Sequence, residues 1–273
     1  MSPSFQKTEP PRVRSPLRLG LGRLYFTARR YGEWLLTSGK YARMINSDEA
    51  LPCLIASHYT PLLRHLKDVD MQLQYNKVTN LGLAGAKING LVLRPGETFS
   101  FWRLVGKTSR RKGYLKGMVL SNGGFYAGTG GGLCQMSNLI YWITLHTPLT
   151  VTERWRHNYD VFPDSNRTQP FGCGATVVYN YIDLQIKNET DRDYQLLAWL
   201  DDEYLHAEWR SAVPAECSYE IYETDHVIKS EWWGGYTRSN ILRRRIFDAE
   251  GYEIADEFVC SNRAVMMYAP VLP

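Results

Sequence analysis

Gly130-Gly131-Gly132-Leu133-Cys134-Gln135-Met136-Ser137 is the stretch on which the reading of this chain turns. Three glycines in a row make a loop, because they carry the most backbone freedom and no side chain to bury. Leu133 to His146 is then apolar and continuous enough for a buried helix, and Pro148 stops it. The first turn of such a helix has free N–H groups and partial positive charge. Cys134 stands there, where a thiolate is stabilised, and the glycines let a substrate backbone approach. Gln135 or the local N–H groups would stabilise an oxyanion. The competing reading makes Cys134 a small buried hydrophobe. A P-loop is excluded, since no Lys-Ser/Thr follows the glycines.

A nucleophilic cysteine needs a base and a group that orients it. His157 follows Cys134 with room for one helix, a turn and a strand, and it sits in a polar cluster of Glu153, Arg154, Arg156, Asn158, Tyr159 and Asp160. His146 is at the far end of the same helix and too distant to serve. Orienting candidates are Asp160, Asp164 and Asp183. Asp183 lies between Ile182 and Leu184, so it either faces solvent or is buried with a partner. Arg154, Arg156 and Arg167 are suited to a carboxylate or phosphate, or to structural ion pairs. The order of a helix-borne Cys, a strand-borne His and a later polar residue resembles papain-like thiol enzymes of the transglutaminase and cell-wall endopeptidase kind.

Upstream, Leu62, Leu63, Leu66, Val69 and Leu73 space a helix from Pro61 to about Ala86, with Asn76, Lys77, Asn80, Lys87 and Asn89 as a polar strip around its end. Leu91–Leu93, the turn residues Pro95–Gly96 and Thr98–Val105 read as a hairpin. Val151 to Val161 reads as one strand. Downstream, strands are expected over Ala175–Lys187, Tyr194–Leu200, Tyr204–Arg210, Ser218–Lys229, Asn240–Phe247 and Glu253–Cys260. The fold class is α+β, with a helical N-terminal third, a mixed middle holding the Cys-bearing helix and an antiparallel β-rich C-terminal third. The expected division is a basic tail and helix over 1–40, a core domain over 41–210 and a C-terminal β extension over 211–273.

The net charge of +4 on 273 residues is too small to imply a nucleic-acid partner. Five cysteines exclude a fully paired disulfide framework, and no Cys-x-x-Cys pair or His cluster predicts a metal. Neither a signal peptide nor a transmembrane run is read, because Arg18, Gly20, Gly22 and Arg23 interrupt Leu17–Phe26. The expected location is therefore cytoplasmic, either free or peripheral to the inner face of the membrane. Residues 12–30 interleave six arginines with leucines and aromatics. They read either as a helix on an anionic membrane surface or as an ordinary helix with a solvated basic face.

The chain resembles the VanW family from roughly Tyr41 to Trp209. The resemblance is carried by Val69–Gln74, Asn76–Lys77, Pro95–Trp102, Gly130–Asn138, Thr152–His157, Gly174–Val177 and Asp183–Asn188. It implies an association with type-B vancomycin resistance clusters, which remodel peptidoglycan precursors, and brings no activity with it. The chain departs from longer relatives in having Cys173–Gly174 where they have Arg-Asp, which leaves Asp183 as the downstream acid. The expectation is a cysteine-dependent hydrolase or acyltransferase acting on a cell-wall peptide or precursor, without a cofactor. Cys134 would be the nucleophile, His157 the base, Asp183 or Asp160 the orienter and Gln135 an oxyanion donor. Gly131, Gly132, Ser137, Glu153, Arg154 and Arg156 would bind substrate. The alternative is a non-catalytic domain that binds peptidoglycan or glycopeptide, or a scaffold docked on the membrane.

Overall fold

The computed structural model describes residues 15–64, 69–121, 123–163 and 169–270. Asp164 and Arg167 among the candidates, and Leu66 of the apolar spacing, lie outside these residues. The chain begins with helix α1 (Pro16–Leu36), whose start is set by Ser15 as N-cap and Pro16 in the first turn. Strand β1 (Cys53–Pro61) leads to α2 (Met71–Ile88), and β2 (Leu91–Leu93), β3 (Thr98–Ser100) and the short α3 (Phe101–Val105) follow. The middle holds β4 (Lys116–Ser121), β5 (Gly124–Thr129), α4 (Cys134–Thr144), β6 (Thr150–Glu153) and β7 (Tyr159–Asp160). The rest is β8 (Gln185–Lys187), β9 (Tyr194–Leu200), β10 (Tyr204–Ser211), β11 (Ser218–Glu231), β12 (Gly235–Phe247) and β13 (Glu253–Met266). This is the expected α+β class, helical first and β-rich last.

One sheet runs β1-β10-β9-β2, all antiparallel. Strand β10 alternates along its length, with Leu205, Ala207 and Trp209 fully inward. Helix α4 covers that inner face with Met136, Leu139, Ile140 and Ile143, and α2 adds Leu81, Ala84 and Ile88 to the same core. The buried Trp209 indole donates to Thr144 Oγ1 at 2.9 Å, so its one polar group is satisfied. A second sheet, β11-β12-β13-β7, carries the long C-terminal strands, with β7 joining β13 in parallel. Strands β3-β8-β6 form a third sheet and β4-β5 a separate hairpin.

Several expected elements differ. The helix expected from Pro61 begins at Met71, because Cys53–Pro61 pairs with β10 and Asp70 caps α2 by accepting from Gln72 N at 2.8 Å. The Pro95–Gly96 turn forms, with Gly96 at φ +79°, yet its arms part: β2 pairs with β9 and β3 with β8. The strand read over Thr98–Val105 stops at Ser100, whose hydroxyl accepts from Arg103 N and starts α3. Val151–Val161 divides into β6 and β7, which join different sheets. Of Ala175–Lys187 only the last three residues are a named strand; before them Val178 and Ile182 form an isolated antiparallel bridge and Thr176 N donates to Trp155 O at 2.7 Å.

Candidate functional site

The glycine loop is shaped by close backbone approach. Gly131 lies directly on the Gly117 carbonyl, and Gly132, at φ +94°, lies on the Lys77 stem. A side chain at either position would occupy the space of its neighbour. The buried Asn80 of α2 spans the loop's base. Its amide donates to Gly131 O at 2.9 Å and Leu115 O at 3.1 Å, and its oxygen accepts from Leu115 N at 2.8 Å. Asn76 donates to Lys116 O at 2.9 Å. The sequence reads these residues as part of a polar strip. Two of its five members, Lys77 and Asn80, are buried, and Asn76 and Asn80 hold the loop and its neighbour. Lys77 is buried beside it, bonded to Gln74 Oε1 at 2.8 Å, and burial lowers its ammonium pKa to about 8.

Cys134 opens α4 where the loop ends. Its thiol donates to Val177 O at 3.7 Å. Burial raises the thiol's pKa, while backbone contacts of Val177 and of Cys134 itself pull the other way. A helix start favours the thiolate, whereas burial moves the Cys134 thiol the other way, with a net upward direction. Next to it, Gln135 donates to Thr60 Oγ1 at 2.9 Å and Pro61 O at 2.8 Å, joining α4 to the end of β1. Ser137 donates to Ala175 O at 2.6 Å and Asn138 accepts from Ala175 N at 2.7 Å. Together they pin the 174–177 segment across the start of α4.

His157 is half-buried between β6 and β7. Burial, then the Arg156 charge, lower its pKa, which keeps the imidazole neutral. Among the described residues no hydrogen bond joins it to Cys134. Arg154 is spent internally. It donates to Gly174 O at 2.8 Å, to Gly172 O and to Asn262 Oδ1 at 3.3 Å, over the Tyr141 ring. Arg156 donates to Arg263 O at 2.8 Å and stacks on Phe171, and burial lowers its pKa to about 10. Asp160 accepts from the Tyr268 hydroxyl at 2.8 Å.

The remaining acids form a separate network. Asp183 is fully buried and accepts from Ser100 Oγ at 2.5 Å and from Trp102 N and Leu184 N, each at 3.0 Å. Burial raises its pKa to about 7 against those bonds. Of the two environments expected for this acid, the structure has the buried one, with backbone and hydroxyl donors around it. Glu153 receives Arg30 at 2.6 Å on both oxygens, Asp183 N at 3.1 Å and Gln185 Nε2 at 3.1 Å. Arg30 belongs to the basic run that reads either as a membrane-surface helix or as a solvated face; it is instead buried. Nothing in its local sequence separates it from Arg29, since the partner is remote.

Among the described residues there is no group of three or more His, Cys, Asp or Glu placed to hold a metal, and no helix is long and apolar enough to cross a membrane.

The family model described as VanW like protein matches residues 76–210, which contain the glycine loop, Cys134, Glu153, His157 and Asp183. The vancomycin B-type resistance protein VanW of Enterococcus faecalis (strain ATCC 700802 / V583) is 36% identical over 228 residues, 84% of this chain and 82% of that protein. The uncharacterized protein YoaR of Bacillus subtilis (strain 168) is 32% identical over 110 residues, 40% of this chain and 35% of that protein. The chain belongs to the VanW family. No solved structure matches it.

Proposed function

We propose that this chain is an accessory protein of glycopeptide resistance whose core is a thiol acyl-transfer site for cell-wall peptides or their precursors. The link to resistance rests on the relative named for it. The observation that carries the chemistry is Cys134 as the first residue of α4, at the end of a loop where Gly131 and Gly132 keep side chains out. In this reading the Cys134 sulfur attacks a peptide carbonyl carbon as its proton passes to neutral His157. The carbon–nitrogen bond then breaks and the amine leaves with that proton. The thioester that remains is opened by a second amine or by water, which restores the thiol. The bond to Val177 O opens as substrate enters, and Cys134 and His157 come into hydrogen-bond reach in the complex; free enzymes often hold such contacts long. Arg154 acts in this reading by holding the Gly172 and Gly174 carbonyls beside the segment pinned to α4, and Glu153 by anchoring Arg30 and Asp183 N in the neighbouring network.

A second reading is favoured by the Cys134 Sγ–Val177 O bond and the missing bond to His157. In it the domain binds a wall peptide and transforms nothing.

Iodoacetamide alkylation of each cysteine across pH, with and without a peptidoglycan-derived tetrapeptide, separates the two. Acyl transfer predicts slow labelling of Cys134 in the free protein, protection or thioester formation with peptide, and loss of turnover in Cys134→Ser and His157→Ala. Peptide binding without thioester or turnover leaves the binding reading standing. Neither binding nor turnover ends both.

A further inference from the structure

Helix α1 has two apolar faces, and only one of them is covered. Phe26, Arg30 and Trp34 recur one turn apart and meet the core. Phe26 stacks on Tyr181 with ring centres 6.4 Å apart, Arg30 is held by Glu153 and Trp34 is buried. On the opposite side Leu17, Leu21, Leu24, Ala28 and Leu35 follow steps of four, three, four and seven, one helical face about 27 Å long. The leucines of that face are 74%, 59%, 67% and 79% exposed in chain order. A Cβ added at Gly20, Gly22 or Gly32 meets nothing within 4 Å, so among the described residues these positions of the helix stand clear of the rest of the chain.

The charge on this helix is mostly positive; its one acid, Glu33, is bonded to Arg30 and to the Tyr41 hydroxyl. From Ser15 to Gly32 there are four arginines and no acid. Arg30 is neutralised in the core, whereas Arg18, Arg23 and Arg29 are exposed and have no acidic partner among the described residues. We propose that the outward face of α1 lies on an anionic lipid surface, with its leucines at the headgroup boundary and Arg18, Arg23 and Arg29 against lipid phosphates. An apolar stripe flanked by arginines is the pattern of a helix that lies in the interface plane. Two copies of the chain facing each other through this stripe would bring three exposed arginines of each together, and the helix's one acid, Glu33, is already bonded to Arg30 and Tyr41, so lipid is the occupant that complements it. The Arg30–Glu153 contact makes the arm a fixed one. It holds the segment that carries Glu153 and His157 at a set height from the membrane. This inference is independent of any chemistry at Cys134.

The test is sedimentation of the full chain with phosphatidylcholine vesicles and with phosphatidylcholine–phosphatidylglycerol vesicles. The expected result is binding to the anionic vesicles that salt weakens, with little binding to phosphatidylcholine alone. Each Arg→Gln change at 18, 23 or 29 should weaken it about fivefold, and Leu21→Asp with Leu24→Asp should abolish it. Because all five side chains are exposed, the melting temperature of each variant should stay that of the parent; if the leucine variant fails to fold, the arginine series decides alone. Absent binding, or binding that neither set of changes alters, overturns the proposal. So does a dimer in light scattering that the leucine variant dissolves, which would make a second copy the occupant.

Discussion

Arg30 donates to both carboxylate oxygens of Glu153, each at 2.6 Å, and so ties the amino-terminal helix to the Glu-Arg-Trp-Arg-His segment. Burial pulls the guanidinium's pKa down, but Glu153, with Glu33 and Asp183 nearby, offsets this and the net direction is upward. Glu153→Gln removes the two-oxygen countercharge and leaves the half-exposed Glu33, at 3.2 Å, as the acid bonded to Arg30. The expected loss is about 3 kcal/mol in denaturant unfolding. Arg30→Met in the Glu153→Gln background should recover much of it, because the buried guanidinium is then gone as well.

Asp183 gives stability a pH dependence of its own. Its pKa in the folded chain, about 7, lies above the ordinary carboxyl value, so the folded state holds a proton that the unfolded state has released. That contribution is complete below about pH 4 and is lost as pH rises toward 7. Asp183→Asn keeps the acceptor for Trp102 N and Leu184 N and supplies a donor to Ser100. Melting curves from pH 4 to 8 should show the parent losing stability over that interval and the variant losing less.

The glycine loop should tolerate no side chain at Gly132. Its φ of +94° is costly for an L residue, and the added carbon would sit on the Lys77 stem. Gly132→Ala should destabilise the chain by about 2 kcal/mol. It should also raise amide hydrogen exchange in the first turn of α4, where Gln135 N bonds Gly132 O at 3.0 Å.

Asn80→Ala should be worse than its size suggests. The side chain makes three bonds to loop backbone in a fully buried setting, and their loss leaves Leu115 and Gly131 polar groups unsatisfied. A cost of about 3 kcal/mol is expected in denaturant unfolding. Asn80→Asp, which cannot donate, should lose nearly as much.

The C-terminal strands were legible because alternation in β10, and turn residues such as Asp201–Asp202 and Asp248–Gly251, are local signals. Tyr194–Leu200 is a strand with the bounds that pattern implies. Helix α4 was legible for the same reason, an apolar run between glycines and a proline. The boundary at Met71 was not. Leu63, Leu66, Val69 and Leu73 fit a helical period, yet β10 offers Cys53–Pro61 a backbone ladder, and a pairing partner so remote leaves no mark on local spacing. The parting of Leu91–Leu93 from Thr98–Ser100 has the same cause.

At the candidate site, residue types alone singled out Cys134, His157, Glu153 and Asp183, because thiols, imidazoles and carboxylates amid glycines and apolar runs are recognisable without coordinates. What those groups do was decided only by tertiary contacts. Burial is the largest influence on the Cys134 thiol and moves its pKa upward. Asp183 faces the start of α3, and Arg154 binds the 172–174 backbone. Periodicity and turn chemistry act over a few neighbours and are written along the chain. Desolvation and hydrogen-bond partnership depend on which distant segments close over a side chain, and only the packed fold chooses those.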